Sequence, residues 1–522
     1  MSDTDLDNEW RPSVNPWIIA VSVMLATFLE ALDTTVVSVA LPNMAGGLAS
    51  TNEEATWVLT SYLVANAIVL PASSWFSLRF GRKRFLLICT VLFTIGSFLC
   101  GIAPSMPILI IARLMQGAGG GALLPLSQAI LLESFPREKH GMAMAAFGVG
   151  VIVAPVIGPL LGGWLTDNYS WRWMFFINIP VGALALYMIS RFVEDPPYIK
   201  NAKPGSIDAI GFALLTIWLA TFQIILDKGQ QEDWFSSTWI SWFTFISIAA
   251  MIALVIREMK CPEPIVDLSV FRDLNFTLSN LLSAVIMAVM YSAIAMVPLF
   301  VQTLLGYTSL SSGIATAPRG LGAMLAMPIV GKLMSYVEEK WLVMVGVVLT
   351  IISTFMFGGI NLDVAMINLV LPNILQGLGM GFVMVPLMAM SVGTLPQAKI
   401  GNASGIFNLS RNLAGSIGIS ISTTALARLS QVNQAEMVSH LSPYEPAFRE
   451  KLGAMQAGLA SITGAPQAQT QAYAVLNGIL LQQSTLKAFI DVFSWTALLT
   501  ALCIPGTLLL KKSIAKGNVS FH

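Results

Sequence analysis

Long apolar stretches dominate this chain and restrict what it can fold into. Fourteen of them have about 18 residues or more, the length that a helix needs to cross the hydrocarbon core of a bilayer. Backbone polar groups in lipid must be hydrogen-bonded within the protein, so stretches of this length predict helices. We therefore expect an all-α polytopic membrane protein. The predicted spans are residues 17–41, 55–77, 85–103, 106–132, 141–165, 173–191, 207–227, 239–256, 275–302, 312–335, 341–360, 364–391, 402–427 and 487–510.

The composition excludes several other classes of protein. Of the 522 residues, 55% are hydrophobic and 11% are charged, and the formal net charge is zero, so neither a soluble globular protein nor a nucleic-acid binder is expected. The sequence contains no Walker A loop and no HExxH or GxSxG motif, so we expect no enzyme, metal site or organic cofactor. An ion gradient would then supply the energy. The four cysteines are isolated from one another, which favours buried thiols over disulfides.

Basic residues predict how the chain is oriented in the membrane. An even number of spans places both termini on one side, and Lys and Arg concentrate on the cytoplasmic side. With the N-terminus inside, 19 of the 28 basic residues fall in cytoplasmic segments and six in external ones. Both termini are therefore expected in the cytoplasm, with residues 1–16 and 512–522 as tails.

An internal repeat predicts two related halves. The stretch RLMQGAGGGALLP, which begins at Arg113, is echoed by NILQGLGMGFVMVP, which begins at Asn373. A separation of 260 residues is shared by the pairs Gln116/Gln376, Pro136/Pro396 and Gly141/Gly401. We expect two six-helix bundles, residues 17–192 and 275–511, joined by a linker of residues 193–274 that carries two extra transmembrane helices. Parallel repeats of this kind are typical of transporters whose substrate site lies between the halves.

One external segment, residues 430–486, is polar and rich in Gln and Ala. Within it, EPAFREKLGAMQAGLASI from Glu445 onward has the pattern of an amphipathic helix. Two interpretations remain open for this segment: a loose periplasmic loop, or a docking surface for an external partner.

Charged residues inside the spans mark the candidate site, because each is costly in lipid. Glu30 and Asp33 lie three residues apart on one face of the first span, and Arg113 lies in the fourth span. At the helical rise, Asp33 is ~13 Å and Arg113 ~10 Å from the outer ends of their spans. These matching depths allow either Asp33 or Glu30 to contact Arg113.

We interpret Glu30 and Asp33 as proton carriers, with Asp33 as the essential acid and Glu30 as an auxiliary or substrate-facing one. Burial and a nearby arginine act in opposite directions on the protonation of such a carboxyl group, so their balance can tune proton exchange. Arg113 completes the predicted proton-coupling set. The alternative is a static ion pair that locks two helices, or acids that merely face water near the outer mouth.

Polar residues deep in other spans are candidates for the substrate cavity. Arg411 lies ~14 Å from the inner end of its span, and Arg319 lies nearer the outside. Each either binds an anionic group or braces the C-terminal half. The predicted cavity set comprises Gln116, Asn408, Arg411, Asn66 and Gln376.

Two further segments are candidates for a conformational gate. In the fifth span, small residues four apart form a stripe where a neighbouring backbone can approach closely, and two prolines bend the helix. The turn after the second span is basic, which serves orientation and is a candidate latch between the halves. The predicted gate residues are Gly150, Pro155, Gly158, Pro159 and Gly162 in the span, and Arg79, Gly81 and Arg82 in the turn.

These motifs together resemble the major facilitator superfamily over the whole chain, and specifically its fourteen-helix drug:proton antiporter branch. LDTTVVSVALP from Leu32 is similar to the first-helix motif of that branch, RLMQG to its fourth-helix motif, and residues 148–163 to its fifth-helix antiporter motif. The chain departs from the pattern at Leu78, where the family carries an acid, and at Ala154, where it commonly has glycine.

Within the branch the chain is most similar to the EmrB group of Gram-negative inner-membrane pumps. The similarity rests on LDKGQQEDWFSS from Leu226, PIVDLSVF from Pro264 and NLAGSIGIS from Asn412. It implies proton-coupled export of hydrophobic or amphipathic toxic compounds by alternating access, with a periplasmic adaptor and an outer-membrane channel as partners. A dedicated exporter of one endogenous metabolite, such as a siderophore or a fatty acid, is the alternative.

Overall fold

The computed structural model describes residues 12–136, 140–200, 208–261, 264, 266–334, 336–395, 397–439, 441–442, 444–463 and 465–510. Throughout these ranges the regular structure is helical and contains no strand, which confirms the predicted all-α class. Twelve of the helices in them are long and apolar enough to cross a membrane, so the chain is a multi-pass membrane protein. The predicted C-terminal tail, 512–522, and most of the N-terminal tail, 1–16, lie outside the described residues.

The helices are labelled in chain order. The first ten are α1 (Pro16–Val39), α2 (Leu41–Gly47), α3 (Asn52–Phe80), α4 (Arg82–Ile102), α5 (Met106–Gly120), α6 (Leu123–Ser134), α7 (His140–Asn168), α8 (Trp173–Phe176), α9 (Asn178–Phe192) and α10 (Pro197–Lys200). The others are α11 (Ala209–Lys228), α12 (Thr238–Lys260), α13 (Leu274–Thr303), α14 (Ser309–Leu333), α15 (Glu339–Gly358), α16 (Met366–Gly393), α17 (Gln397–Ser439), α18 (Pro446–Thr463), α19 (Ala465–Ala501) and α20 (Cys503–Leu508).

Polar caps determine where several of these helices begin. The side chain of Asn15 accepts a hydrogen bond from the Trp17 amide at 3.0 Å at the start of α1. Thr51 and Glu54 form a reciprocal capping box at the start of α3. Asp273 accepts from the Phe276 amide at 2.8 Å and begins α13. Each cap satisfies an amide that has no partner within its helix, so the helix ends are fixed locally.

The apolar cores lie in two groups of helices. One group of clusters is built from α1 to α9 and another from α13 to α20. A further cluster joins them on one side, because Leu70 of α3, Leu219 of α11 and Ile406 of α17 pack together. The inserted pair α11–α12 therefore packs against both groups. Three of the four cysteines are buried and all four are free thiols, as predicted.

The inserted helices are also attached to α3 by polar contacts at the end of α11. Lys228 donates to the Thr56 hydroxyl at 2.5 Å, and its ammonium lies 5.1 Å from the centre of the Trp57 ring. The neighbouring Thr60 hydroxyl donates to the Asp227 carboxylate. These contacts place two charged residues of α11 against a helix of the first group.

The sequence left a loose loop and a docking surface open for the segment 430–486, and the structure makes its described residues mostly helical. The structure continues α17 to Ser439, begins α19 at Ala465 and places α18 between them. The extended parts of α17 and α19 remain paired, since Ser430 and Thr485 share a hydrogen bond of 2.9 Å and Lys487 lies 3.1 Å from Glu436. Most of the described part of this segment is therefore helical, and the amphipathic helix predicted there corresponds to α18.

Candidate functional site

A buried ion pair between α1 and α5 forms the centre of the candidate site. Arg113 Nη1 lies 2.5 Å from Asp33 Oδ2, and both side chains are completely shielded from solvent. The sequence left Asp33 and Glu30 open as partners of Arg113, and the structure selects Asp33. The pair is a charge-assisted hydrogen bond in a water-free environment, where such a bond is strong.

Two amides complete the hydrogen bonding of the Asp33 carboxylate. Gln116 Nε2 donates to Asp33 Oδ1 at 2.9 Å, and Asn178 Nδ2 donates to the same oxygen at 3.0 Å. Gln116 also accepts from Arg113 Nη1 at 2.7 Å, which is the one-turn relation expected on a helix. Gln116, predicted for the substrate cavity, thus lies inside the ion-pair network.

Asn178 is a site residue that the sequence analysis missed. It is the first residue of α9, which follows α8 after the single residue Ile177. Its amide also donates to the Ser97 hydroxyl at 3.0 Å, which fixes the side chain on α4 as well. The only signal in the sequence is an amide within the otherwise apolar stretch FFINIP.

The guanidinium of Arg113 is held from its other side by α3. Its Nε donates to the carbonyl of Val58 at 3.0 Å, and its Cζ lies 4.2 Å above the ring of Tyr62. Cation–π contact with a desolvated ring favours the charged arginine. Its Nη2 is buried without a hydrogen-bond partner. Arg113 therefore joins α1, α3 and α5, and a change in the charge of Asp33 affects all three helices.

Glu30 lies one turn from Asp33 on α1 and is only partly buried. It accepts a hydrogen bond from Asn66 Nδ2 at 2.9 Å, so two predicted site residues are brought together. Glu30 thus contacts α3 through Asn66, whereas Asp33 bonds Arg113 and Gln116 of α5.

The remaining predicted cavity residues occupy different environments. Asn408 is buried and its Nδ2 donates to Gln128 Oε1 at 3.4 Å, a contact between α17 and α6. Arg411 is partly buried, and its Nε has no hydrogen-bond partner. Gln376 is buried in α16, away from the Asp33 network. The structure therefore brings Asn66 to Glu30 and Gln116 to Asp33, and it does not gather the set around one point.

The small-residue stripe of α7 packs directly on α1 beside the ion pair. A methyl group at Gly162 would lie 3.0 Å from the Val36 carbonyl, and one at Gly158 would collide with the Thr35 hydroxyl. Gly150 faces Met24 in the same way. The close approach that the sequence predicts is present, and its partner is the helix that carries Asp33. Pro155 and Pro159 lie within α7, but their side chains are outside the described ones.

The basic turn contacts the first half and the start of the linker 193–274. Gly81 has a φ of +86°, a conformation that glycine adopts without strain, and the next helix begins at Arg82. Arg82 pairs with Glu133 of α6, and the amide of Lys83 donates to Asp195 Oδ1 at 2.8 Å. Arg79 is exposed. A latch between the halves stays a prediction for these residues.

Comparisons with known proteins place the chain among membrane transporters. Residues 23–419 match the sequence model of the Major Facilitator Superfamily. The chain is 36% identical over 476 residues to the multidrug export protein EmrB of Haemophilus influenzae, covering 91% of this chain and 90% of that protein. It is 34% identical over 478 residues to the multidrug export protein EmrB of Escherichia coli strain K12, with the same coverage of 91% and 90%.

One further relative and one solved structure are also similar to this chain. The fatty acid resistance protein FarB of Neisseria gonorrhoeae is 31% identical over 500 residues, which cover 96% of this chain and 97% of that protein. The crystal structure of the human organic anion transporter MFSD10 superposes with a TM-score of 0.58, covering 94% of this chain and 100% of that chain at 14% identity. At that identity the likeness concerns the fold alone.

Proposed function

The chain belongs to the Major Facilitator Superfamily, and we propose that it is a multidrug efflux transporter that exchanges hydrophobic or amphipathic compounds for protons. Relatives named as multidrug export proteins match at 34–36% identity over about nine-tenths of the chain, in support of multidrug export. The observation that carries proton coupling is the Asp33–Arg113 pair, because a buried carboxylate between membrane helices is a group whose protonation changes helix contacts.

The proposed coupling follows from the contacts of Asp33. Protonation removes the negative charge that holds Arg113 and leaves the guanidinium with the Val58 carbonyl, the Gln116 amide and the Tyr62 ring. The attraction between α1 and α5 then weakens, and α1 becomes free to move against α7. One proton that enters down the gradient supplies about 2.3 kcal/mol per 100 mV and about 1.4 kcal/mol per pH unit.

Glu30 has a different role in this proposal. Glu30 is only partly buried and lies one turn from Asp33, which suits a carboxylate that a substrate displaces or shields. Asn66 holds the Glu30 side chain in place from α3. Substrate and proton would thus act on neighbouring turns of the same helix.

We further propose fourteen transmembrane helices in the bacterial inner membrane, with both termini in the cytoplasm. The twelve apolar helices are supplemented by α7 and α17, which have 29 and 43 residues and are long enough to span. The excess of basic residues in the predicted inner segments supports the orientation. The two six-helix bundles of residues 17–192 and 275–511, with the helix pair between them, remain the proposed domain division.

The paired extensions of α17 and α19, with α18, are the proposed docking surface for a periplasmic adaptor that connects to an outer-membrane channel. The support is the regular structure of this external segment, because a helical hairpin presents a more defined surface than a loop. A second candidate function, export of a fatty acid, is favoured by the similarity to FarB.

Transport in proteoliposomes tests the coupling. Wild type, Asp33→Asn, Glu30→Gln and Arg113→Ala are compared in acidification-driven transport of a fluorescent lipophilic dye, with and without a protonophore. Asp227→Asn is the matched control, since it neutralises another acid within a span, in α11. We expect transport to require the proton gradient, to be lost in Asp33→Asn and to be retained in Asp227→Asn. Gradient-driven transport that persists in all three site variants contradicts the coupling assignment.

A further inference from the structure

A partly buried arginine of the second half has no acidic partner among the described residues. Arg319 of α14 donates from Nη2 to Asn373 Oδ1 at 2.9 Å and to the Ala293 carbonyl at 3.5 Å, and both acceptors are neutral. Its Nε is buried and has no hydrogen-bond partner. In the described ranges Arg319 takes part in no ion pair. The side chain is only partly buried, but a guanidinium within a membrane span is costly and favours an anionic group that faces it.

A second unpartnered polar group lies one helical turn away. Gln376 follows Asn373 on the same face of α16, and only 1% of it is exposed. Neither its amide nitrogen nor its amide oxygen has a hydrogen-bond partner. The helices cross closely here, since a methyl group at Gly377 would lie 2.7 Å from the Ala323 amide nitrogen. Buried amides are normally hydrogen-bonded, so Gln376 is a second indication of a ligand.

The internal repeat shows which group this region lacks. The pairs Asp33/Ala293, Arg113/Asn373 and Gln116/Gln376 share the separation of 260 residues. In the first half, one carboxylate accepts hydrogen bonds from both the arginine and the glutamine. In the second half the carboxylate position is Ala293, while Arg319 supplies the cation from a different helix and meets the amide of Asn373. The second half keeps the glutamine, replaces the arginine by Asn373 and has no acidic side chain at position 293.

We propose that Arg319, Asn373 and Gln376 form an anion site that binds one monovalent anionic group. The group is either a halide ion or the carboxylate of an amphipathic compound. Arg319 Nε and the Gln376 amide provide unused N–H donors, and the guanidinium supplies the charge. If the bound group is a carboxylate, the inference rests on the proposed export function. The exported compounds would then include amphipathic acids.

Equilibrium binding tests the site without transport. The purified full-length protein is held at constant ionic strength in gluconate, which is replaced stepwise by chloride or by octanoate, and thermal unfolding is followed by tryptophan fluorescence. A ligand that binds only the folded state raises the midpoint along a saturating curve. We expect saturation in the wild type, and at least tenfold weaker apparent binding in Arg319→Gln and Gln376→Leu.

The repeat supplies the matched control, Gln116→Leu, which should leave the anion response unchanged. Saturation by chloride identifies a halide site, and saturation by octanoate alone identifies a carboxylate site. An anion response that is absent in the wild type, or equal in the wild type and Gln376→Leu, overturns the proposal. Gln376→Leu keeps Arg319 and the helix packing, so the test remains decisive if Arg319→Gln does not fold. Because no gradient is used, failure here is distinct from failure of proton-coupled transport.

Discussion

In each half, a glycine helps to bring a pair of helices into backbone contact. Gly117 of α5 faces the backbone of Tyr62 on α3, and Gly377 of α16 faces the backbone of Arg319 on α14. The two glycines are 260 residues apart, so they are equivalent in the repeat. A methyl group at Gly377 would lie 2.7 Å from the Ala323 amide nitrogen and nearer still to the Arg319 carbonyl. These neighbours are backbone atoms, so only movement of a whole helix relieves the collision.

The magnitude follows from two opposing effects. Replacing a helical glycine by alanine gains about 1 kcal/mol of helix propensity. Overpacking costs about 1–3 kcal/mol, and backbone neighbours place Gly377→Ala at the upper end. We therefore expect a net loss of about 2 kcal/mol for Gly377→Ala. Gly405 of α17 is the control, because a methyl group there meets nothing within 4 Å. Gly405→Ala should be neutral or stabilising by up to about 1 kcal/mol.

Unfolding in mixed micelles by increasing SDS, followed by tryptophan fluorescence, measures both changes. Gly117→Ala should behave like Gly377→Ala in stability. It should also reduce transport, because moving α5 from α3 withdraws Arg113 from the Val58 carbonyl. Equal stability of Gly377→Ala and Gly405→Ala would refute the argument that the backbone contact at the α14–α16 crossing leaves no room for a methyl group.

Three other changes have defined outcomes. Asn178→Leu removes a buried hydrogen-bond donor to Asp33, so the free energy of unfolding in the same SDS assay should fall by about 1–3 kcal/mol. Dye transport should also fall. Wild-type stability together with wild-type transport would contradict the role given to Asn178. Burial raises the pKa of Asp267, but hydrogen bonds from Ser269 and the charge of Lys399 outweigh it and hold that pKa below its usual range. The stability that this carboxylate contributes is therefore present at neutral pH and lost as the pH falls below about 4, so the midpoint difference between wild type and Asp267→Asn should shrink on acidification. Ala435→Pro interrupts the extended part of α17 and should abolish drug resistance in cells, while transport in proteoliposomes persists. Loss of both activities would mean that the substitution disrupts the transmembrane helices themselves.

The depth of a charged residue in its span can be calculated from the helical rise, which is why a contact of Arg113 with Asp33 or Glu30 could be predicted, while the choice of Asp33 required the structure. The contact of Asn178 with Asp33 could not be predicted, because it depends on how α9 packs against α1. Gln376 lies buried beside the α14–α16 crossing, and its place in a substrate cavity stays a prediction.

The segment 430–486 illustrates a different limit. Its low hydropathy left a loose loop and a docking surface open, and most of its described residues are helical. Hydropathy reports transfer into lipid and not helix formation, and Gln and Ala are good helix formers in water. The pairing of α17 with α19 through Ser430 and Thr485 adds a tertiary contact that local sequence does not contain.

The continuity of α17 has a mechanical consequence. Its 43 residues form a rod about 65 Å long at the helical rise. Near its N-terminal end, Asn408 contacts α6 of the other half, and its C-terminal end carries the extension paired with α19. A rod that tilts by roughly 10° about its N-terminal end displaces its C-terminal tip by roughly 11 Å at this length. A small change at the contact between the halves would thereby be amplified into a large displacement of the extension.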